Sequence, residues 1–125
     1  SSKDNATAIS GIRIIRKHFG KPIIYPVTFI IADFVLGKFA KNKTWHKKQM
    51  QRTFSEFEIT PIKPAFINSC FQTHFTDLED ALQYQCAFHA KATIILTKDI
   101  SDFFDSKIPV IHPHDFVVRY NELMK

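Results

Sequence analysis

The stretch TIILTKDISDFFDSKIPVI, Thr93 to Ile111, sets two short apolar runs, TIILT and IPVI, on either side of a polar loop. Neither run alternates apolar with polar residues, as a strand with one wet face would. Continuous apolar character in so few residues instead fits strands covered on both faces, the environment of a parallel sheet between helices. Working outward, Pro113 is placed to be the first residue of a last helix, HDFVVRYNELMK, with Phe116, Val117 and Tyr120 on one face. Upstream, T-D-L-E at 76–79 reads as a capping box in which Thr76 caps and Glu79 reaches back, opening a helix that runs through Ala90. PIIYPV (22–27) and FEITPI (57–62) read as two more strands, the first framed by Pro22 and Pro26.

Helical spacing of Ala8, Ile12, Ile15 and Phe19, with Gly20 at the stop, predicts a first helix over 6–19. Thr28 is the expected cap of a helix to about Ala40. A further helix is expected over 43–53, and Pro64 opens a short one in PAFINSCF. Strands alternating with helices predict an α/β fold in which four visible strands form one parallel central sheet. No linker, repeat or low-complexity tract divides residues 1–125, so a single domain is expected.

Composition bounds the function. With 125 residues, 45% of them hydrophobic and 13 of them Phe, the chain has material for a core. No apolar run approaches the roughly 18–20 residues that cross a bilayer, and the first residues lack the basic-then-apolar order of a signal peptide. The expectation is a soluble, cytoplasmic protein without a membrane partner. Two cysteines, Cys70 and Cys86, are too few for a disulfide framework and read as small buried apolar residues. The net charge is +5, and the excess gathers in KFAKNKTWHKKQMQR. There Lys38, Lys41, Lys43, Lys47, Lys48 and Arg52 interleave with Trp45 and His46, either as a solvated face or as a surface for phosphates or an acidic partner. Three glycines make no phosphate loop and no G-x-S-x-G is present, which disfavours nucleotide-binding enzymes and serine hydrolases. His112 and His114 read as strand-end and helix-start residues rather than as a metal pair.

Acids fall where an open parallel sheet binds ligands, beyond the carboxyl ends of its strands. Asp99 and Asp102 follow TIILT directly; Asp77 and Asp80 lie in the first turn after Thr76. Asp33 sits inside FIIADFVLGKF (29–39). Its neighbours Ile30, Ile31, Phe34 and Val35 predict a helix packed between the sheet and other helices, so its carboxylate needs a partner. A shared hard cation, Mg²⁺ or Mn²⁺, is one that such oxygens would accept.

The segment DALQYQCAFHAKATIILTKDISDF (80–103) resembles the D-A-L-x-x-x-x-A, G-A, L-V-T-x-D/N-x-x-D-F signature of PIN domains, the fold of VapC-type toxin ribonucleases, and IPVIHPHDF is similar to their I-P-V-x-x-P-x-x-F ending. YPVTFIIADFVLGKF resembles their S-x-x-T-x-A-E-x-x-x-G segment, with Asp33 at the second acidic position in place of Glu. The resemblance spans about Pro22 to Phe116. It implies a three-layer αβα PIN-like fold and Mg²⁺- or Mn²⁺-dependent endonucleolytic cleavage of RNA by the toxin of a toxin–antitoxin pair. Asp33, Asp80 and Asp99, with Asp102, would hold the metal, and Thr97 would orient a ligand or water. Glu79 and Asp77 would be bystanders. The stretch from Lys38 to Arg52 would meet RNA or an antitoxin, and a homodimer is a further partner the resemblance suggests.

PIN domains open with a central strand of the type F-L-D-T-N-V that brings the first metal-binding Asp, whereas this sequence opens with SSKDNATAIS, which is similar to the helix after that strand. The expected sheet then has a gap between PIIYPV and TIILT. Three outcomes are open: an upstream segment fills it, another chain or segment fills it, or the two strands close directly on each other. The alternative function that follows is a catalytically inactive PIN-like module that binds RNA or protein.

Overall fold

The computed structural model describes residues 2–123 of the chain. In order it forms α1 (Ser2–His18), β1 (Ile23–Ile24), α2 (Pro26–Gly37), α3 (Lys43–Phe54), β2 (Glu58–Ile59), α4 (Pro64–Cys70), α5 (Leu78–His89), β3 (Ile95–Leu96), a 3₁₀ turn (Ile100–Phe103), β4 (Val110–Ile111) and α6 (Pro113–Leu123). The α/β alternation is as expected, and so is the parallel pairing. β1 pairs with β2 through Ile23↔Glu58 and Ile24↔Ile59, and β3 pairs with β4 through Ile95↔Val110 and Leu96↔Ile111.

The single central sheet is not what forms. The strands make two separate two-stranded sheets, β1–β2 and β3–β4, and β1 does not pair with β3. Direct closure of PIIYPV on TIILT is therefore excluded in this fold. Each strand has one neighbour, so each ladder is only two residues long where four to six were expected.

Local signals account for the helix ends. Gly20 closes α1 with φ of 101°, a conformation that costs little only for glycine. Helix α2 begins two residues before the expected cap Thr28: Pro26 occupies its first turn behind an uncapped Tyr25, since proline's preset φ suits the first helical position. Asn42 caps α3 by accepting the Trp45 N–H at 2.8 Å. The cap of α5 is Asp77, not Thr76. Its Oδ1 accepts the N–H groups of Glu79 and Asp80 at 2.8 and 3.1 Å, so the capping box is replaced by a carboxylate at the same helix end.

The core lies around α5. Cys70, Phe75, Ala81, Tyr84, Phe103 and Ile108 form one cluster against β3 and β4, while Tyr25, Phe66 and Cys86 form a second. Leu82 touches both. Phe75 holds the first cluster together through rings, with centroids 5.1 Å from Tyr84 and 6.0 Å from Phe103. The Lys107 N–H donates to the Tyr84 hydroxyl at 3.1 Å, giving that buried phenol its polar partner. Both cysteines are free and buried.

Helix α1 lies beside α6. A Cβ on the buried Gly11 would meet Val117 Cγ2 at 3.9 Å, and the His18 and Tyr120 rings are 5.0 Å apart. The two helices therefore run in the same sense. The end of α1 is tied to the segment before β2 by Arg16, whose Nε meets Glu56 Oε2 at 2.9 Å and whose Nη1 donates to the Glu56 carbonyl at 3.1 Å.

Candidate acidic site and basic surface

Asp80 is placed in the first turn of α5 by the Asp77 cap. Asp99 and Asp102 are placed by the turn after β3. Thr97, the residue following β3, accepts the Asp99 N–H on Oγ1 at 3.1 Å, and the Asp102 N–H donates back to the Asp99 carbonyl at 3.1 Å. These two bonds curl the chain and turn its acids toward the start of α5. The consequence is electrostatic: burial raises the Asp80 pKa above its ordinary value, and the nearby charges of Asp77, Asp102, Glu79 and Asp99 raise it further. Three of the expected site residues, Asp80, Asp99 and Asp102, thus share one region at the carboxyl end of β3. Thr97 is there too, and here it serves the backbone of Asp99.

Asp33 is not part of that region as described. Its side chain is 60% exposed and its Oδ1 lies 2.8 Å from His46 Nε2. The expected packing of α2 is overturned as well. No residue of α2 is buried, and Ile30 and Phe34 are 65% and 67% exposed. The physical reason lies in the sheet: a β1–β2 pair with two residues per strand offers too little surface to cover a helix that is apolar on every side. What holds α2 is α3, through the Phe29–Phe54 ring pair at 5.0 Å and the Asp33–His46 bond. The partner that Asp33 needed is therefore a histidine. Its position thirteen residues away on the next helix gave no sequence signal.

The basic residues Lys38, Lys41, Lys43, Lys47, Lys48 and Arg52 are all exposed. Lys38 Nζ sits 4.3 Å from the Phe34 ring centroid and Lys41 Nζ 6.0 Å from that of Trp45, so cations and aromatic faces share one surface across α2 and α3. Stacking faces beside cations are what single-stranded nucleic acid uses.

The acids as arranged do not fit a resident divalent ion. Among the described residues no three His, Cys, Asp or Glu side chains are grouped so as to hold one, and Asp33 is engaged with His46. No described helix is long and apolar enough to cross a membrane. No protein-family model, no curated protein and no solved structure matches the chain.

Proposed function

We propose that the chain is a PIN-type endoribonuclease domain of three-layer αβα design, dependent on Mg²⁺ or Mn²⁺, and the cytoplasmic toxin of a toxin–antitoxin pair. The observation that carries this reading is the nearness of Asp80, Asp99 and Asp102 beyond β3, where burial raises the Asp80 pKa and the neighbouring acids, Asp77, Asp102, Glu79 and Asp99, raise it further. Carboxylates held together at the ligand-binding end of a parallel strand need a proton or a cation to relieve them. An ion held among these acids would supply charge neutralisation at a phosphodiester. The chain's own residues supply the rest. Asp80, Asp99 and Asp102 attract and place positive charge, Thr97 holds the Asp99 turn, and the Lys38–Arg52 surface binds the RNA backbone or an antitoxin.

No step is routed through the ion, because the described acids do not close on one point. The same observation favours a second reading, a PIN-like module that binds RNA or protein without cutting it. One experiment separates the two. The purified protein is incubated with single-stranded RNA with and without Mn²⁺, alongside Asp80→Asn and Asp99→Asn. The nuclease reading expects Mn²⁺-dependent cleavage that falls to background in both variants; cleavage unchanged in both sinks it. The binding reading expects no cleavage, with salt-sensitive RNA binding that survives both substitutions.

A further inference from the structure

Helices α2 and α3 form a hairpin whose inner contacts fall on one stripe of α2. Phe29, Asp33 and Gly37 recur every four residues and all face α3: Phe29 meets the Phe54 ring at 5.0 Å, Asp33 bonds His46, and a Cβ on Gly37 would lie 3.6 Å from His46 Nε2. Residues one or two places further along are turned about 100° or 200° round the helix, away from α3. Ile30, Ile31, Phe34 and Val35 make that outer stripe, and all four are exposed. Phe39, just past α2, is 79% exposed and extends the ridge.

Charge on this hairpin is as one-sided as apolarity. Between Pro26 and Ser55 the chain carries six cations and one acid, Asp33, whose carboxylate is already bonded to His46. Cations border the ridge itself, since Lys38 Nζ stands 4.3 Å from the Phe34 ring centroid and Lys41 Nζ 6.0 Å from that of Trp45. A lysine stem lies readily along apolar surface while its ammonium stays in a polar layer.

The occupants that would cover such a face differ in what they satisfy. RNA would meet the cations and stack on the aromatic rings, but branched Ile30, Ile31 and Val35 give bases no flat face. A second copy docked about a two-fold axis would bury the ridge and set the same six cations against themselves. A folded acidic protein fixes its register through hydrogen bonds, and the outer stripe has no polar side chain to offer one. An anionic lipid surface needs no register and meets both demands, with acyl carbons on the ridge and lipid phosphates on the lysines. We infer that the α2–α3 hairpin is a docking surface for an anionic phospholipid bilayer, with α2 lying along the surface and its outer stripe sunk to the headgroup boundary. No described helix is long and apolar enough to cross a bilayer, and a helix lying in the interface plane has no need to be. This partner goes beyond the nuclease reading and does not rest on it.

Trp45 is the chain's only tryptophan and is exposed at the border of the ridge, so its emission reports the contact directly. The purified protein is titrated with vesicles of mixed phosphatidylglycerol and phosphatidylcholine, and with vesicles of phosphatidylcholine alone. A blue shift is expected with the first and not with the second. Changing Ile30→Ser and Phe34→Ser together should raise the lipid concentration at half-saturation by about 10-fold or more, and Lys38→Gln with Lys41→Gln by about 10-fold, with urea midpoints showing that both variants are folded. No shift with the anionic vesicles overturns the inference, and so does undiminished binding of either folded variant. A shift produced by single-stranded RNA or polyglutamate but not by vesicles assigns the face to those polyanions and overturns it. A mass of two copies in solution, with Trp45 emission already blue-shifted before lipid is added, assigns the face to a second copy and also overturns it.

Discussion

Helices α2 and α5 are each 12 residues long, and α2, PVTFIIADFVLG, is much the more apolar of the two. Yet α5 buries Ala81, Tyr84 and Cys86, and α2 buries nothing. The difference teaches that burial follows direction and available partner surface, not total hydrophobicity. In α5, polar Glu79, Gln83 and Gln85 leave a defined apolar stripe, and two core clusters are there to receive it. α2 has no polar face to orient it, and the short β1–β2 sheet gives it little to lie on.

The largest test of this contrast sets Phe75→Ala against Phe34→Ala. Phe75 lies at the centre of a ring cluster, and its loss is expected to cost about 3–5 kcal/mol by urea midpoint. Phe34→Ala, at an exposed position, is expected to change stability by less than about 0.5 kcal/mol. Similar costs for the two would show that α2 is packed after all.

Ala81→Leu sharpens the point on the α5 side. Ala81 is 0% exposed within the first cluster, so three added carbons have nowhere to go and the expected cost is about 1–3 kcal/mol. A neutral result would reveal slack in that core.

Asp80→Asn is smaller and of opposite sign. The folded state raises the Asp80 pKa, so it binds that proton more tightly than the unfolded chain does. This contribution favours folding at pH below the ordinary carboxylate pKa and is lost as pH rises through the raised folded value. Removing the charge should therefore raise the melting temperature at pH 7 by about 1–3 °C, with no gain near pH 3. The α5 dipole, which favours a carboxylate in its first turn, keeps the gain small. A variant less stable at neutral pH would show that the dipole outweighs the repulsion.

The smallest expected effect on stability, within about 0.5 kcal/mol, belongs to the double change Ile30→Ser and Phe34→Ser. Its readout is different: binding of a hydrophobic dye should drop, because these side chains form an exposed apolar patch of the kind that such dyes detect. Unchanged dye binding would place the accessible apolar surface elsewhere.

Much of the fold was legible because its signals are local. Gly20 marked the end of α1, Pro113 the start of α6, and the apolar runs TIILT and IPVI marked paired parallel strands. In the candidate site, the position of Asp80 in a first helical turn and of Asp99 and Asp102 directly after a strand was legible, because those signals are local; their nearness to one another depends on how α5 docks beside β3 and was only implied by the family resemblance. Asp33 was misread for an equally physical reason. Its neighbours are apolar in sequence, but whether a helix is buried depends on what lies across from it, and that surface comes from other segments. The Thr76 capping box failed by one residue, because both Thr76 and Asp77 can cap and only the final backbone path chooses.

By itself, then, the sequence determined which segments become helices and which become strands, since capping, proline placement and apolar periodicity act within a few residues. It also placed Asp80 in the first turn of a helix and Asp99 and Asp102 directly after a strand. Only the tertiary structure decided that the strands pair as two separate sheets, that a cleft lined from both lies between them, and that Asp33 meets His46. These outcomes depend on groups distant along the chain, whose hydrogen bonds and packing exist only once the elements are docked.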